Sequence, residues 1–520
     1  MPSRTRRIKG TGLFLSVAMP LLMVTSAFAE LQQVSVGGEL RIRGRQYFNT
    51  FSPRGERIDP QYTGWRPLGP KGTTSVFKWD GRGTDWTRYE TSVLLNVKAD
   101  FTDNVTGFIE LYDWHIWGED FRSNYLTGED RRADSSDDVE IEQAYVEMRQ
   151  IFGAPLKLRV GRQAIKLGKG WLVDDMLTPS QYSSHDAIRL TWTPADDLSI
   201  DAIMSKLNEQ QIGDEDTDFY ALYGTWTGIP ELTVSAYWFF LRSAQHVETT
   251  KLGAPGEWAE SLFGWDSYDP TRLHTVGTYL FGKSNGFDYS LELAYQFGDA
   301  SHVGSYFKPV TGAYGDPGAN YDNWGLEAIL GYTFSDVKWQ PRPYVMASWY
   351  DGKDNRDITF WEWLNPFYRP EASISFNRLF SSTNSFPTIN DNGWLSNVIQ
   401  VQLGLELQVT EKVRTHVHVA KDWVDDPFDP PVSFEIGDRR FYSPFSFWTE
   451  KGSRDLGWEA AAWVKYQYSA DLWFLLYGNY LWTGEGLAKG AFIQYNGTEF
   501  SGGTDDNDAG YLFWMAVLKF

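Results

Sequence analysis

The chain has 520 residues, a net charge of −21, no cysteine, and 24 Trp, 28 Tyr and 33 Phe. The acid excess excludes a nucleic-acid binder, which needs positive charge to displace phosphate counterions. The lack of cysteine excludes disulfides, thiolate catalysis and cysteine-bound metal.

The first element is a leader. Arg4, Arg6, Arg7 and Lys9 precede an apolar run from Leu13 to Val24, and Ala27-Phe28-Ala29 supplies a small-x-small cleavage site. The run is shorter than the ~20 residues of a membrane helix, so residues 1–29 read as a secretory signal peptide and the mature chain is expected to begin at Glu30. The Arg6-Arg7 pair also fits twin-arginine export. A membrane barrel must reach its assembly machinery unfolded, which favours the general secretory route. No Pro-rich or Ser-rich linker divides residues 30–520, so they read as one domain.

Beyond the leader the dominant period is two. Ile399, Val401, Leu403, Leu405, Leu407 and Val409 alternate with Gln400, Gln402, Gly404, Glu406 and Gln408. Phe287, Tyr289, Leu291, Leu293, Tyr295 and Phe297 alternate with Asp288, Ser290, Glu292, Ala294, Gln296 and Gly298. Successive strand side chains point to opposite faces, so each segment has one greasy and one polar face. In chain order the predicted strands are 36–48, 86–100, 105–117, 139–150, 156–167, 186–193, 198–206, 218–228, 232–242, 272–283, 287–298, 323–334, 341–350, 395–409, 413–423, 456–468, 472–482 and 510–520. Without 186–193 and 341–350 the count falls from eighteen to sixteen. Short turns such as Asp103-Asn104, Ser284-Asn285-Gly286 and Thr410-Glu411-Lys412 alternate with long polar connections such as 49–85, 243–271 and 351–394.

This pattern predicts an all-β fold: a transmembrane antiparallel β-barrel of about 18 strands, with short periplasmic turns and long extracellular loops, in the outer membrane of a Gram-negative-type bacterium. A soluble sandwich or propeller is the competing fold, but a propeller would repeat every ~40–50 residues, and no such repeat is present. The last strand favours the membrane. Trp514, Leu518 and Phe520 lie on one face, and a terminal aromatic resembles the signal read by the barrel assembly machinery. That strand must also pair with the first, leaving no open edge in lipid.

If the apolar face meets the lipid bilayer, the other parity lines a lumen. That places Arg41, Arg43, Arg45, Arg88, Glu90, Tyr145, Glu147, Arg149, Arg159, Gln163 and Arg189 inside. Three arginines on alternate positions repel, so partners or an anionic solute must neutralise them. No cofactor is expected and no metal: His416 and His418 share a face, but no third ligand has useful spacing. Asp425-Asp426 and Asp505-Asp506-Asn507-Asp508 read as solvated loop, with extracellular calcium as the sharper alternative.

Residues 139–193 carry a recognisable pattern: Gln143-Ala144-Tyr145-Val146-Glu147, then Leu158-Arg159-Val160-Gly161-Arg162-Gln163, then Asp186-Ala187-Ile188-Arg189-Leu190-Thr191-Trp192. With the Lys519-Phe520 ending, this resembles the alginate-export family of outer-membrane porins. The resemblance implies an eighteen-stranded barrel and passive export of an anionic polysaccharide through an arginine-rich constriction. The residues depart from it in part, because Glu140, Glu142 and Glu147 crowd the strand before the motif and Ala164 follows Gln163. A channel for another polar or anionic solute fits the mixed lumen as well. Arg162 has lipid-facing parity but is counted with the lumen set, because Gly161 permits a bulge that would turn it inward; the alternative is that it reaches water at the interface. Two other functions remain open on these residues: a scaffold binding partners through its loops, and a rim hydrolase using Ser183 or Ser184 with His185.

Overall fold

The computed structural model describes residues 30–50, 77–80, 84–117, 139–178, 181–209, 216–244, 270–300, 320–353, 374–382, 395–427, 451–488 and 508–520, with short stretches of the longer loops. The expected leader, residues Asp505 to Asn507, and much of the long connections lie outside the described residues.

Eighteen antiparallel strands close into one barrel. They are β1 (Leu31–Thr50), β2 (Thr84–Phe101), β3 (Val105–Ile116), β4 (Glu140–Arg149), β5 (Leu156–Ala164), β6 (Ser184–Ala195), β7 (Leu198–Asn208), β8 (Thr217–Ile229), β9 (Leu232–Ser243), β10 (Thr271–Ser284), β11 (Phe287–Asp299), β12 (Asn320–Tyr332), β13 (Arg342–Tyr350), β14 (Val398–Thr410), β15 (Val413–Val424), β16 (Asp455–Gln467), β17 (Leu472–Thr483) and β18 (Ala509–Lys519). The two segments on which a sixteen-strand count turned are strands β6 and β13. Strand β1 begins earlier than expected, because Val34 and Val36 continue the pairing with Ala99 and Val97 of β2.

The alternation read from sequence separates two environments. On β14, Leu403 is 65% exposed on the outer face while Gln400 is 1% exposed on the inner. The outer surface carries two aromatic belts. Trp238, Trp324, Trp458 and Trp482 stand near the long-loop ends, and Trp192, Trp226, Tyr289 and Phe474 near the short-turn ends. This is the pattern of a lipid-facing band held between two interfaces. The short turns are periplasmic by this topology, and both described ends of the chain lie with them. At the β10–β11 turn, Asn285 and Gly286 both take positive φ, 49° and 86°, the pair that a tight type I′ hairpin requires.

Closure happens between β18 and β1. Strand β1 pairs with β18 from Glu39↔Lys519 to Phe48↔Gly510, and with β2 on its other edge. At the seam's end, the Phe520 N–H donates to the Gly38 carbonyl at 3.1 Å and the Gly38 N–H donates back to Phe520 at 2.9 Å. The Phe520 ring covers Gly38, where a Cβ would lie 2.6 Å from the ring and 2.5 Å from the Leu94 carbonyl. A Gly38→Val substitution is therefore expected to destabilise the closed barrel by about 1–3 kcal/mol, the usual cost of overpacking. The check is the temperature at which the folded band is lost on unboiled electrophoresis; an unchanged temperature contradicts this account of the seam.

Candidate functional site

The inner face of β1 carries Glu39, Arg41, Arg43, Arg45 and Tyr47 in sequence. Their repulsion is relieved by protein partners. Glu90 on β2 takes two hydrogen bonds from Arg43, at 3.0 and 2.8 Å, and also bonds Arg45. Arg41 bonds Glu39 at 2.5 Å and the Tyr182 hydroxyl at 3.0 Å. Lys519 adds a further contact to Glu39 at 3.2 Å. Arg43 and Glu90 are each 1% exposed, so both are structural; Arg88, 3.9 Å from Glu90 on its more exposed side, is nearer the solvent.

The recognised motif builds the next sector. Arg159 on β5 bonds Glu147 at 2.6 Å and lies 4.2 Å from the Tyr145 ring centroid, with Arg149 on the other carboxylate oxygen at 2.7 Å. Directly opposite Arg159 stands Arg189 of β6, held by Asp201 at 2.9 and 3.0 Å. Gln163 is fully buried and donates to the Ala187 and Gly161 carbonyls. Arg162 is a correction to the expected lumen set. It lies on the outer face, 3.6 Å from Asp186. Gly161 does take a positive φ of 124°, but the register through it is unbroken. A Cβ there would sit 2.3 Å from the Ala144 carbonyl, so glycine serves close strand approach. The bulge lies one strand earlier, at Glu142 of β4, where pairing with β3 slips between Glu110 and Leu111.

The lumen is partly filled by two inserted segments that strand-pattern reasoning classed as loop. Between β5 and β6, Trp171, Leu172 and Val173 are buried with Phe376 and Leu379 from the β13–β14 connection. The Trp171 indole donates to the Tyr350 hydroxyl at 2.9 Å and stacks on Phe376 at 5.9 Å. Val173 pairs in parallel with Phe380. Lys169 reaches the far wall, 2.5 Å from Glu327 and 3.9 Å from Glu292. Arg378 is fully buried, 4.2 Å from the Tyr350 ring centroid. A dense apolar run, Trp171-Leu172-Val173, inside an otherwise polar connection was the available sequence signal for this plug.

At the short-turn end the inner face is basic. Lys98, Arg149, Lys157, Lys283, Arg342, Arg414, Lys465 and Lys519 project there, against Glu39, Asp100, Glu147, Asp288 and Glu406. Lys157 and Lys465 have no carboxylate within ion-pair distance among the described residues. A cavity of about 540 Å³ lies in this mouth, lined in part by Lys283, Asp288, Arg342, Glu406 and Arg414.

Residues 80–430 match the family described as alginate export. The chain belongs to that family. Solved structures similar to it include three from Pseudomonas aeruginosa. OccK11 (OpdR) is 9% identical with a TM-score of 0.48, covering 95% of this chain and 98% of that one. OccD3 (OpdP) is 11% identical with a TM-score of 0.47, covering 95% and 93%. OccK5 (OpdH) is 12% identical with a TM-score of 0.44, covering 93% and 98%. No curated protein sequence matches the chain. A closed barrel with a lipid-facing band, in a family of export channels, is an outer-membrane channel of porin type and not an enzyme.

The other sequence candidates are accounted for locally. Ser184 and His185 fall on opposite faces of β6, and the buried His185 ring meets Phe380 edge-on at 5.0 Å. His416 and His418 both face inward, bonded to Tyr344 at 2.7 Å and Glu459 at 3.4 Å. Among the described residues no cluster is arranged to hold a metal. Trp514, Leu518 and Phe520 lie on the outer face, exposed at the seam. Asp425 accepts from the Trp349 indole at 2.9 Å and the Gly352 N–H at 3.2 Å, which ties down the root of the plug.

Two outcomes follow for the wall and the plug. Glu90→Gln leaves the buried Arg43 and Arg45 without their carboxylate and is expected to cost about 3–5 kcal/mol, measured as a fall in the urea midpoint of barrel refolded into liposomes. Beside the plug root, burial pushes the Asp351 carboxyl up to about 6; the Trp324 N–H and Lys353 oppose this and Asp425 adds to it. A carboxyl raised on folding contributes stability that is full below its ordinary value of 3.8 and is lost as the pH rises through about 6. The Phe376 amide, which donates to the Asp351 carbonyl, is expected to have a larger hydrogen-exchange protection factor at about pH 4.5 than at about pH 7.5, on either side of the folded value near 6. Asp351→Asn should abolish the difference.

Proposed function

We propose that this channel conducts an anionic, polyhydroxylated solute outward from the periplasm, through the gap between the arginine-bearing wall of β1–β6 and the inserted plug. The basic periplasmic mouth carries the reading. In a chain of net charge −21, the inward cations at that end outweigh the carboxylates beside them, and a charged low-dielectric mouth raises the local concentration of its counter-ion. Arg159 and Arg189 then continue the basic track inward while remaining partly exposed, 22% and 20% at the side chain. The family's description as alginate export favours an acidic polysaccharide. The plug favours a single extended chain or a small fragment over a folded polymer.

The test is the zero-current potential of single channels in a salt gradient. A Lys157→Glu, Lys283→Glu, Lys465→Glu variant is expected to move the anion-to-cation permeability ratio at least about threefold towards cations, the effect of roughly one kT of local potential. A ratio equal to that of the unmodified protein removes the anion preference from the proposal.

A further inference from the structure

The outer wall carries a band of charge at one level. At the extracellular ends of β6 to β11 an outward row runs Asp186↔Lys206↔Asp218↔Arg242↔Arg272↔Asp299, each residue in direct register with the next. Every member lies within two residues of the end of its strand. Arg162 of β5 extends the row, 3.6 Å from Asp186. One step deeper the same wall presents rings. Tyr220, Phe240, His274 and Phe297 are neighbours in register, and the Phe240 and His274 rings stack at 4.4 Å with an interplanar angle of 13°. They continue the extracellular aromatic belt, and such interfacial rings sit at the headgroup level of a membrane. The charged row therefore stands where lipid headgroups meet water. On the inner side of these strands Phe219 and Leu273 lie in the dry core, so the row is served only from outside.

The charges of the row are unevenly matched. Lys206 is held by three carboxylates, Asp216 at 2.8 Å, Asp218 at 2.9 Å and Glu209 at 3.0 Å. Asp218 is thereby engaged, and Arg242 reaches it only at 3.7 Å. Arg272 is exposed, and among the described residues no carboxylate stands within ion-pair distance of it. Asp299 lies beside it in register and offsets part of its charge. Arg242 and Arg272 face each other directly, and like charges in that position weaken a strand pair. The local excess of positive charge thus falls on this one pair. Two adjacent guanidiniums offer the planar donor forks that fit phosphate oxygens. The rings of Phe240 and His274, directly beneath, offer a flat apolar face to a sugar ring or to the start of an acyl chain.

We propose that Arg242 and Arg272, standing above the Phe240 and His274 rings, bind a phosphate of a phosphorylated glycolipid in the outer leaflet of the membrane. The site lies on the outside of the wall and is independent of the solute and of any anion preference in the lumen.

The probe is diphosphorylated lipid A, titrated into the full-length barrel in detergent and followed by microscale thermophoresis. Dephosphorylated lipid A, phosphatidylglycerol and inorganic phosphate are the comparison ligands. Diphosphorylated lipid A is expected to bind at least about tenfold tighter than each of them, the fold-change that one charge-assisted hydrogen bond supplies. Arg272→Gln breaks no ion pair among the described residues and should weaken binding about tenfold by the same reasoning, and Arg272→Lys should recover part of the loss. Lys421→Gln removes a cation from the same rim on β15, 5.3 Å from the Trp458 ring, and should leave the affinity unchanged. Arg242→Gln is the second variant should Arg272→Gln fail to give a heat-modifiable barrel. Undiminished affinity in the arginine variants, equal affinity for dephosphorylated lipid A or phosphatidylglycerol, or an equal loss in Lys421→Gln overturns the site. Inorganic phosphate bound as tightly as the lipid makes this a free-anion site and overturns the glycolipid. A dimer of the unmodified chain that the arginine variants split into monomers assigns the row to a second copy and overturns it too. Conductance of the same variants in planar bilayers reads the channel separately, so failure of the lipid site and failure of the channel remain distinct.

Discussion

A strand edge left open in hydrocarbon exposes backbone donors and acceptors that nothing can satisfy. The barrel depends on meeting that constraint at one place, where β18 returns to β1. Ten register pairs from Glu39↔Lys519 to Phe48↔Gly510 close the wall, and the terminal residue contributes its own amide and carbonyl to Gly38. The glycine is part of the same solution, since the Phe520 ring occupies the space a side chain would need. Trp514 covers Gly44 further along the seam in the same manner.

Closing so many strands creates a second problem. A barrel of 16–18 strands encloses more volume than its own side chains fill. Here the interior is resolved in three ways around its circumference. The β1–β7 sector fills with interlocked ion pairs, in which Glu90, Glu147 and Asp201 each hold arginine. The extracellular half receives the two inserted segments and forms a dry core around Trp171, Tyr350 and Phe376 that extends to Val398, Val424, Leu456 and Leu481 of β14–β17. The β14–β18 sector carries an inward row of His416, Trp463, Tyr477 and Phe513. Arg43, Arg45, Arg159 and Arg189 are all paired, but they differ in exposure: Arg43 and Arg45 are buried in the wall, whereas the Arg159 and Arg189 side chains stay 22% and 20% exposed.

Much of this was legible in the chain. Period-two alternation identified all eighteen strands, including β6 and the short β13, because a strand between lipid and lumen must have one apolar and one polar face over its whole length. The same parity rule placed Arg41, Arg43, Arg45, Glu90, Glu147, Arg159 and Arg189 inside. The rule also assigned Arg162 to the lipid-facing side. The suggestion that Gly161 would override it failed, since a positive φ at one glycine changes local backbone direction without adding a residue to the strand.

By itself, then, the sequence determined the barrel, its strand number, its inside and outside, and the residue that ends the seam. These are consequences of local periodicity against a two-sided environment. Only the tertiary structure decided which charges neutralise one another, that Lys169 and Arg378 enter the lumen from loops, and that His416, Trp463, Tyr477 and Phe513 lie in one row. Those relations join residues far apart in the chain through strand register and loop insertion. Neither leaves a periodic trace, because each is set by how strands slide past their neighbours and by what volume remains once the wall has closed.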